Sequence, residues 1–381
     1  EDLLKLRKRE PPAPVLDPTP ELHPADPRMS LISLTAGTSS LIPFVDAPRS
    51  FIALPVKPPA MVRVIAVDLG ATNTRAAVLD RDGLIGEKTE AKTPGGGADP
   101  AILTGFLSGL ITRVCGSPLP DDISGIGLSV AGPVDIRKGI LLNPPNMTFR
   151  DVPVTAPLSE AFGIPVRMVN DCHAGILGEI SYGAAKGRKN VVYITISTGI
   201  GGGVLANGRI LLGRDGNAAE VGHFHVDDTY NLTCGCGHSG HWEGYASGKY
   251  LPWFFAQWCH YHGKPHWGPE TAEEIFHSAR EGDDDVLRFL GDLSRINARA
   301  VSDVIVAYDP ELIIFDGSVM RSNADLLLQP MIDAVDRYLR LPELVMTDLA
   351  GDAPLLGASV IARGYDTGYG DFLALTGTKP G

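Results

Sequence analysis

The sequence predicts an α/β protein built from two similar lobes that face each other across a cleft. Strand and helix patterns alternate from residue 61 onward, which favours a sheet covered by helices on both faces. The same pattern occurs at 64–86 and again at 191–213: an apolar strand, then a Gly- and Thr-rich turn, then further strands. With 381 residues, 44% of them hydrophobic, the chain is long enough for two sizeable cores. If the repeats face each other, their turns meet in a cleft, which is a favoured place for a ligand.

The elements of the first repeat can be assigned in order along the chain. A buried strand is predicted at 62–70, and the alternating segment 74–91 predicts two more strands joined at Asp82-Gly83, a dipeptide typical of hairpins. A helix is predicted over 99–116, where apolar residues recur at helical spacing after an Asp-Pro start. Another strand, at 123–135, ends in Gly and Pro. These elements predict the first of two sheets.

Domain boundaries follow from composition and from the repeat. Residues 1–60 are dense in Pro and show no periodicity, so we expect them to be disordered, either as a tether or as residues that precede a natural start at Met61. We expect the first lobe to span 61–180 and to include a C-terminal helix at 356–381. The second lobe is expected to span 181–355.

Charge and cysteine content exclude several classes of protein. Asp plus Glu outnumber Lys plus Arg by 45 to 33, a net charge of −12, so the surface should repel nucleic-acid phosphates and anionic lipids alike. Five cysteines in so long a chain disfavour a disulfide framework and fit a reducing compartment. The sequence has no run of about 18 apolar residues, as a membrane helix would need. We therefore expect a cytoplasmic protein that binds neither nucleic acid nor membranes.

Both Gly-rich turns have the composition of a phosphate-binding site. In "DLGATNTR" (68–75) and "STGIGGG" (197–203), glycines allow backbone N–H groups and Thr hydroxyls to approach phosphate oxygens closely. One such turn is usually a tight hairpin, whereas two turns at matching places in a repeat favour a bound nucleotide. Asp68 ends a strand and would either hold Mg²⁺ through water or simply cap the turn. The candidate ATP and Mg²⁺ residues of these turns are Asp68, Gly70, Thr72, Asn73, Thr74, Thr198, Gly199, Gly201 and Gly202.

Four motifs together give the chain a resemblance to a known family. They are "DLGATNTR", "STGIGGG", the element Glu220-Val-Gly-His223 and "CGCGHSGHWE" at 234–243. From about Met61 to its C-terminus, the chain resembles the ROK family of sugar kinases and repressors. The resemblance implies a two-lobed actin-like ATPase fold, made of duplicated ribonuclease H-like domains. It also implies ATP-dependent phosphorylation of a hexose, with glucose as the first choice, and we expect a homodimer.

The resemblance assigns a role to the Cys-x-Cys stretch. In the family, one His and three Cys hold a structural zinc ion, and here His241 stands where the last Cys is expected. Imidazole and thiolate are both good zinc ligands, so a closed tetrahedral site with two of each is a standard arrangement. The alternative is that the two cysteines are only packed thiols. Within a zinc loop at 220–243, the expected ligands are His223, Cys234, Cys236 and His241, with His238 and His225 as substitutes for the fourth.

Phosphorylation of a sugar needs a carboxylate that accepts or orients the proton of the reacting hydroxyl. Asn170 and Asp171 follow the strand-like segment 165–169 and should enter the cleft, where Asp171 matches the base of the family. One edge of the His223 imidazole would bind zinc and the other would face the sugar. The residues expected to contact the sugar are Asn146, Asn170, Glu220, His223 and Glu243.

The predicted adenosine site departs from the family pattern. The family usually has paired glycines there, whereas this chain has Asp316-Gly317-Ser318 after a buried strand. We expect Gly317 to contact the nucleotide.

Three alternatives stay open at this stage. The sugar could be an N-acetylated hexosamine or fructose, because motifs alone do not identify the residues that read the 2-substituent. A sugar-responsive repressor would need a helix-turn-helix domain ahead of the kinase-like part, which the Pro content of 1–60 disfavours. An actin- or chaperone-like ATPase without a sugar would leave the cluster of Glu220, His223 and Glu243 unexplained.

Overall fold

The computed structural model describes residues 63–364, except 81, 84, 98, 145–146 and 266–267. The segment predicted to be disordered, most of the predicted C-terminal helix and the candidate sugar residue Asn146 therefore lie outside the described residues. Among the helices that are described, none is long and apolar enough to cross a membrane.

The first part of the chain, up to residue 182, forms a mixed sheet and the helices that cover it. The element bounds are β1 (Arg63–Leu69), β2 (Asn73–Leu79), β3 (Ile85–Lys92), α1 (Ala101–Cys115), β4 (Ile123–Val130), β5 (Val134–Asp135), β6 (Ile140–Leu141), β7 (Val152–Pro153), α2 (Thr155–Phe162), β8 (Val166–Asn170) and α3 (Asp171–Tyr182). The sheet order is β3-β2-β1-β4-β8. Strands β1 to β3 are antiparallel, whereas β4 and β8 continue the sheet parallel to β1. The short strands β5, β6 and β7 form a small antiparallel sheet.

The second part of the chain repeats this arrangement. The element bounds are β9 (Val191–Ile196), β10 (Ile200–Ala206), β11 (Arg209–Ile210), a 3₁₀ turn (Val221–His223), α4 (Glu243–Ala246), α5 (Leu251–Tyr261), α6 (Ala272–Arg280), α7 (Asp284–Tyr308), β12 (Leu312–Asp316), α8 (Ser318–Ser322), α9 (Ala324–Ala334), β13 (Glu343–Met346) and α10 (Ala353–Ala362). The second sheet has the order β11-β10-β9-β12-β13. Its strand directions match those of the first sheet, antiparallel through β9 to β11 and parallel through β12 and β13.

The repeat seen in the sequence is therefore a repeat of topology. Strands β1 to β3 correspond to β9 to β11, and each Gly-rich turn connects the first strand of its sheet to the second. The central strands β1, β4 and β12 are buried on both faces, which explains their continuous apolar sequences. The predicted two-lobed α/β fold class is confirmed, while the residue boundaries of the lobes stay a prediction.

Helices α3 and α10 join the two sheets. Helix α10 packs against β1 and β4 of the first sheet and against α3, which in turn packs against β9 and β10 of the second sheet. Glycines make these contacts close. A Cβ at Gly357 of α10 would overlap the backbone of Ala174 in α3, and one at Gly127 of β4 would overlap the backbone of Ala358. The two helices therefore approach each other and the first sheet at backbone distance.

The limits of α10 correct the predicted C-terminal helix at 356–381. The helix begins at Ala353, with Pro in its first turn, where the missing N–H is not needed. It ends at Ala362, and Gly364 follows with a left-handed φ of 63° that stops a helix. Residues 365–381 lie outside the described residues.

We predict that Gly357→Ala lowers the stability of the protein by about 1–3 kcal/mol, because the added methyl group forces α3 and α10 apart. Gly109→Ala is the matched control, since Gly109 lies in the middle of α1 and a Cβ there would meet nothing within 4 Å. Removing this exposed helix glycine should stabilise the protein by up to about 1 kcal/mol. Thermal unfolding of both variants measures the difference, and equal melting temperatures would refute the close packing.

Candidate active site

The candidate Mg²⁺ residue Asp68 lies near the end of β1, between polar residues on both neighbouring strands. The strand register places Arg75 of β2 and Ser129 of β4 directly beside it. Its Oδ2 accepts hydrogen bonds from Nη2 and Nε of Arg75 at 2.5 and 3.2 Å, and its Oδ1 accepts one from the Ser129 hydroxyl at 2.9 Å. Because an ionised carboxylate offers about four acceptor positions, Asp68 can still accept a hydrogen bond from a cation-bound water.

The first Gly-rich turn has exposed and buried members. Thr72 and Asn73 are exposed, whereas Thr74 is completely buried. The Thr74 hydroxyl shares a hydrogen bond of 2.7 Å with the Thr93 hydroxyl, which donates to the carbonyl of Gly70 at 2.8 Å. In this structure Thr74 therefore supports the turn from within the sheet, and Thr72 and Asn73 are the side chains that a phosphate can reach.

In the second Gly-rich motif, Gly201 and Gly202 serve close packing. A Cβ at Gly201 would lie 2.5 Å from the Cys172 sulfur of α3, and one at Gly202 would lie 2.8 Å from the Ala219 carbonyl. Both distances are shorter than real Cβ contacts allow. These two glycines therefore hold the motif against α3 and against the segment that leads to Glu220.

The tip of the second turn is tied to Glu243. Thr198 is exposed at the tip. A Cβ at Gly199 would lie 2.6 Å from a carboxylate oxygen of Glu243, and the same oxygen, Oε2, accepts from the backbone N–H of Ile200 at 3.0 Å. Glu243 begins α4 at the end of the Cys-x-Cys stretch. A phosphate-binding candidate and a sugar-binding candidate are thus in direct contact.

Asp171 is the first residue of α3 and directly follows β8. Asn170 caps the helix, because its Oδ1 accepts from the backbone N–H of Cys172 at 2.8 Å. The Asp171 Oδ1 accepts from the same N–H at 2.9 Å, while the Asn170 amide donates to the Gly132 carbonyl at 3.4 Å. The cap and the strand end therefore fix Asp171 at the N-terminus of a helix.

The electrostatic surroundings suit Asp171 to act as a base. Burial raises its pKa to about 7, and the negative charges of Asp68 and Glu220 add to the rise, while the N–H of Cys172 opposes it. A general base works best when its pKa lies near the operating pH. Asp171 is therefore within electrostatic reach of both the candidate Mg²⁺ residue Asp68 and the candidate sugar residue Glu220.

Glu220 and Glu243 form an acidic pair beside His223. Glu220 immediately precedes the 3₁₀ turn that contains His223. Desolvation by the surrounding protein raises the pKa of Glu220; the charge of His223 lowers it, and the charge of Glu243 raises it. Glu220 therefore lies within electrostatic reach of both His223 and Glu243.

The structure brings all four predicted zinc ligands together. The ligand atoms of His223, Cys234, Cys236 and His241 lie within 4.8 Å of one another. The Nδ1 atoms of His223 and His241 are 3.3 Å apart, and the sulfurs of Cys234 and Cys236 lie 3.8 and 3.2 Å from them, respectively. A tetrahedral ion with Zn–N bonds of about 2.0–2.1 Å and Zn–S bonds of about 2.3 Å separates its ligand atoms by roughly 3.3–3.8 Å. The spacing fits such an ion.

The two substitute ligands lie outside this group. His238 is exposed, and its Nδ1 is 3.8 Å from the Cys236 sulfur. His225 is also exposed and pairs with Asp228 at 2.8 Å. The geometry therefore favours His241 as the fourth ligand.

The loop that carries the cluster is anchored to α7. Trp242 is completely buried, and its indole N–H donates to Asn297 at 2.8 Å. The buried carboxylate of Asp227 pairs with Arg299 at 3.3 Å. These contacts hold the loop against α7 at two points, one between His223 and Cys234 and one directly after His241.

A cavity of about 820 Å³ lies at the end of β12, between α6 and α8. Its lining includes Thr271, Phe276 and Arg280 at α6, and Ser318 and Asn323 at α8. The volume is in the range of sites for drug-sized ligands. No sequence motif indicates this cavity, because its walls come from segments about forty residues apart.

The turn beside this cavity requires glycine. Gly317 has a left-handed φ of 96°, and a Cβ there would overlap the backbone of Ile196. The preceding residue, Asp316, is completely buried and accepts hydrogen bonds from the Tyr193 hydroxyl at 2.8 Å, from the Gly317 N–H at 2.6 Å and from Arg321. These donors explain how a carboxylate occupies a position where small residues are expected.

Sequence reasoning missed the partners of two carboxylates, the partly buried Asp68 and the buried Asp316. Arg75 and Ser129 at Asp68 were not singled out, nor were Tyr193 and Arg321 at Asp316. A signal existed for one of them, because Ser129 is the polar residue nearest the end of the otherwise apolar strand β4. The pairings of Arg75 with Asp68 and of Tyr193 with Asp316 depend on the strand register, and the pairing of Arg321 with Asp316 depends on the turn into α8.

These features define the class of protein. The chain has two sheets of the same topology, and each sheet has a Gly-rich turn. A carboxylate stands at the start of α3, the helix between the sheets. This arrangement is a two-lobed ATPase fold of the actin type.

Comparison with known proteins narrows the class. Residues 64–364 match the ROK family. A glucokinase from Pyrobaculum calidifontis is 34% identical over 305 residues, which cover 79% of this chain and 95% of that protein. A ROK hexokinase from Thermus thermophilus has a TM-score of 0.67 and 31% identity, covering 79% of this chain and 98% of that one. A ROK family glucokinase from Streptomyces griseus, solved with glucose and AMPPNP, has a TM-score of 0.66 and 29% identity over 80% of this chain and 100% of that one. The chain belongs to the ROK family.

Proposed function

We propose that this protein is a glucokinase-type sugar kinase, which transfers a phosphoryl group from ATP to a hydroxyl of glucose. The observation that carries the proposal is the position of Asp171 as the first residue of α3, where burial raises its pKa to about 7 and where it lies within electrostatic reach of Asp68 on the nucleotide side and Glu220 on the sugar side. The glucokinase relatives and the related structure with glucose and AMPPNP support the same reaction.

On the sugar side, Asp171 accepts or orients the proton of the reacting hydroxyl. Glu220, His223 and Glu243 bind other hydroxyls of the sugar. The oxygen of Asn170 accepts at the helix cap and one amide N–H donates to Gly132, so the second amide N–H is the donor left for the sugar. Asn146 stays a candidate sugar ligand.

On the nucleotide side, the phosphates lie between the two Gly-rich turns. Thr72, Asn73 and Thr198 are exposed there and supply the polar side chains. The adenosine occupies the cavity between α6 and α8, and Gly317 directly precedes Ser318 of its lining. Asp68 holds Mg²⁺ through water. When bound, Mg²⁺ neutralises charge on the phosphates during transfer.

The cluster of His223, Cys234, Cys236 and His241 holds a structural zinc ion. Burial and the neighbouring histidines lower the pKa of His241, which favours the neutral imidazole that binds metal. The Nδ1 atom of His223 faces the cluster, so its Nε2 is left for the sugar. Zinc would crosslink the loop that carries His223 and ends at Glu243.

Closure of the lobes separates the sugar from bulk water. The glucose hydroxyl, rather than water, then receives the phosphoryl group. We propose that the enzyme is a cytoplasmic homodimer, and sedimentation of the purified protein measures the oligomeric state.

A coupled assay with ATP and a panel of hexoses tests the proposal. We expect glucose to give the highest kcat/KM, with N-acetylmannosamine, N-acetylglucosamine and fructose as the competing substrates. A higher value for an N-acetylated sugar would change the substrate but keep the enzyme class. Absence of turnover with every sugar, together with binding of sugar, would favour the regulator of the same family.

A further inference from the structure

Arg75 occupies a position that the sequence motif did not explain. Its guanidinium contacts Asp68 on one side through Nε and Nη2. On the other side, Nη1 donates to Asp352 at 2.9 Å and Nη2 donates to the Gly351 carbonyl at 2.9 Å. The side chains of Arg75 and Asp68 are only 22% and 14% exposed, so water screens the pair weakly. Arg75 therefore links the candidate Mg²⁺ carboxylate to a distant part of the chain.

That part is the segment in which the chain crosses from the second sheet to the first. Residues 347–352 lead from β13 to α10, and α10 packs against the first sheet. The Thr347 hydroxyl at the start of the crossing donates to the buried carboxylate of Glu179 in α3. Arg75 binds the end of the same crossing. The crossing segment is thus fixed at both ends, once by α3 and once by the strand beside Asp68.

The second lobe contacts the crossing segment from its other side. A Cβ at Gly351 would lie 2.5 Å from the guanidinium of Arg321, which binds the buried Asp316 beside the cavity. Gly351 therefore lies between Arg75 of the first lobe and Arg321 of the second. Because both lobes contact Gly351, a relative movement of the lobes would shift its carbonyl, to which Arg75 donates.

We propose that Arg75 is a positioning residue that orients Asp68 for Mg·ATP and makes this orientation depend on the crossing segment between the lobes. The proposal rests on the proposed function, in which Asp68 holds Mg²⁺ through water. A planar guanidinium suits this role because its fixed N–H directions allow it to bind a carboxylate and a carbonyl at defined angles. A lysine carries the same charge but lacks this fork.

Calorimetric titration with Mg·AMPPNP tests the role without turnover. Arg75→Met should raise the Kd for Mg·AMPPNP about tenfold or more, the usual loss when the partner of a metal-binding group is removed. The Kd for glucose should stay within about twofold of wild type, because the sugar side is not contacted. Arg75→Lys should recover part of the nucleotide affinity, and it also gives a reading if the Met variant does not fold. Asp352→Asn, which loosens only the crossing, should give a smaller increase than Arg75→Met.

Lys88→Met is the matched control. Lys88 Nζ donates to the same Asp352 oxygen as Arg75, at 2.6 Å, but it lies on β3, one strand farther from Asp68. Its loss should leave the Kd for Mg·AMPPNP unchanged. Equal effects of Arg75→Met and Lys88→Met would overturn the proposal, as would a parallel loss of glucose affinity and melting temperature. A wild type that binds Mg·AMPPNP but phosphorylates no sugar would overturn the proposed function alone, and one that binds no Mg·AMPPNP would overturn both.

Discussion

Asp171→Asn is expected to lower kcat for glucose phosphorylation by roughly 10²- to 10⁴-fold, the usual contribution of a positioned general base. Asparagine has the same shape as aspartate and can still accept the N–H of Cys172, so the helix start should persist. It cannot take up the hydroxyl proton. The Kd values for glucose and for Mg·AMPPNP should therefore change little, and the loss should fall on kcat.

The pH dependence gives this prediction a second measurement. Burial, reinforced by the charge of Asp68, raises the pKa of Asp171 to about 7. The base is active only as a carboxylate, so kcat/KM of the wild type should fall as the pH drops below about 7. The small residual kcat/KM of Asp171→Asn should not show this fall below about pH 7.

Stability separates a catalytic role from a structural one. A carboxyl group whose pKa is higher in the folded state than in the unfolded state binds protons more readily when folded. The folded state is therefore penalised as the pH rises from about 4 to about 7, and the penalty stays constant above the folded pKa. Asparagine has no such penalty, so Asp171→Asn should melt at an equal or higher temperature than the wild type at pH 8.

Glu160→Gln provides the matched control for Asp171→Asn. Glu160 is an exposed carboxylate on α2, and its replacement removes one negative charge by the same chemical change. Its kcat and pH profile should equal those of the wild type. If Asp171→Asn retained kcat within a few-fold of the wild type, Asp171 would not be the base.

The sequence was sufficient for the fold wherever local pattern decides the structure. The repeat of strand, turn and strand at 64–86 and 191–213 predicted the duplicated sheets, because each copy contains its own apolar strands and turn residues. Asp171 could be placed because a strand end and a helix start are both local features. The same reasoning predicted that Thr74 contacts the nucleotide. Side chains alternate between the two faces along β2, and in the structure the Thr74 hydroxyl is buried and bonds to Thr93.

Contacts between different strands, helices and loops could not be predicted from the sequence. The pairing of Asp68 with Arg75 and Ser129 depends on how three strands are aligned. The cavity beside β12 is lined by residues around α6 and α8, which carry no shared motif. His241 was assigned from the family pattern, and its proximity to His223 arises only when the loop folds back on the 3₁₀ turn.

His241→Ala is expected to remove the zinc ion or to weaken its binding strongly, because three ligands leave a structural tetrahedral site open. Purified wild-type protein should contain about one zinc per chain, bound by two sulfurs and two nitrogens. Without the ion, the loop that carries His223 and ends at Glu243 should loosen, so the Kd for glucose should rise more than the Kd for Mg·AMPPNP. The rest of the fold should persist, since Trp242 is anchored on α7 independently of the metal.

Two further variants decide whether His241 acts as a ligand or only as a neighbour. His241→Cys supplies a thiolate at the same place and should retain the metal, with three sulfurs and one nitrogen in the X-ray absorption spectrum. His238→Ala removes an exposed imidazole that is 3.8 Å from the Cys236 sulfur and should change neither the metal content nor the glucose affinity. Zinc retained by His241→Ala but lost by His238→Ala would move the fourth ligand to His238. A zinc-free wild type with full kinase activity would contradict the zinc site itself, because the sugar loop would then hold its shape through protein contacts alone.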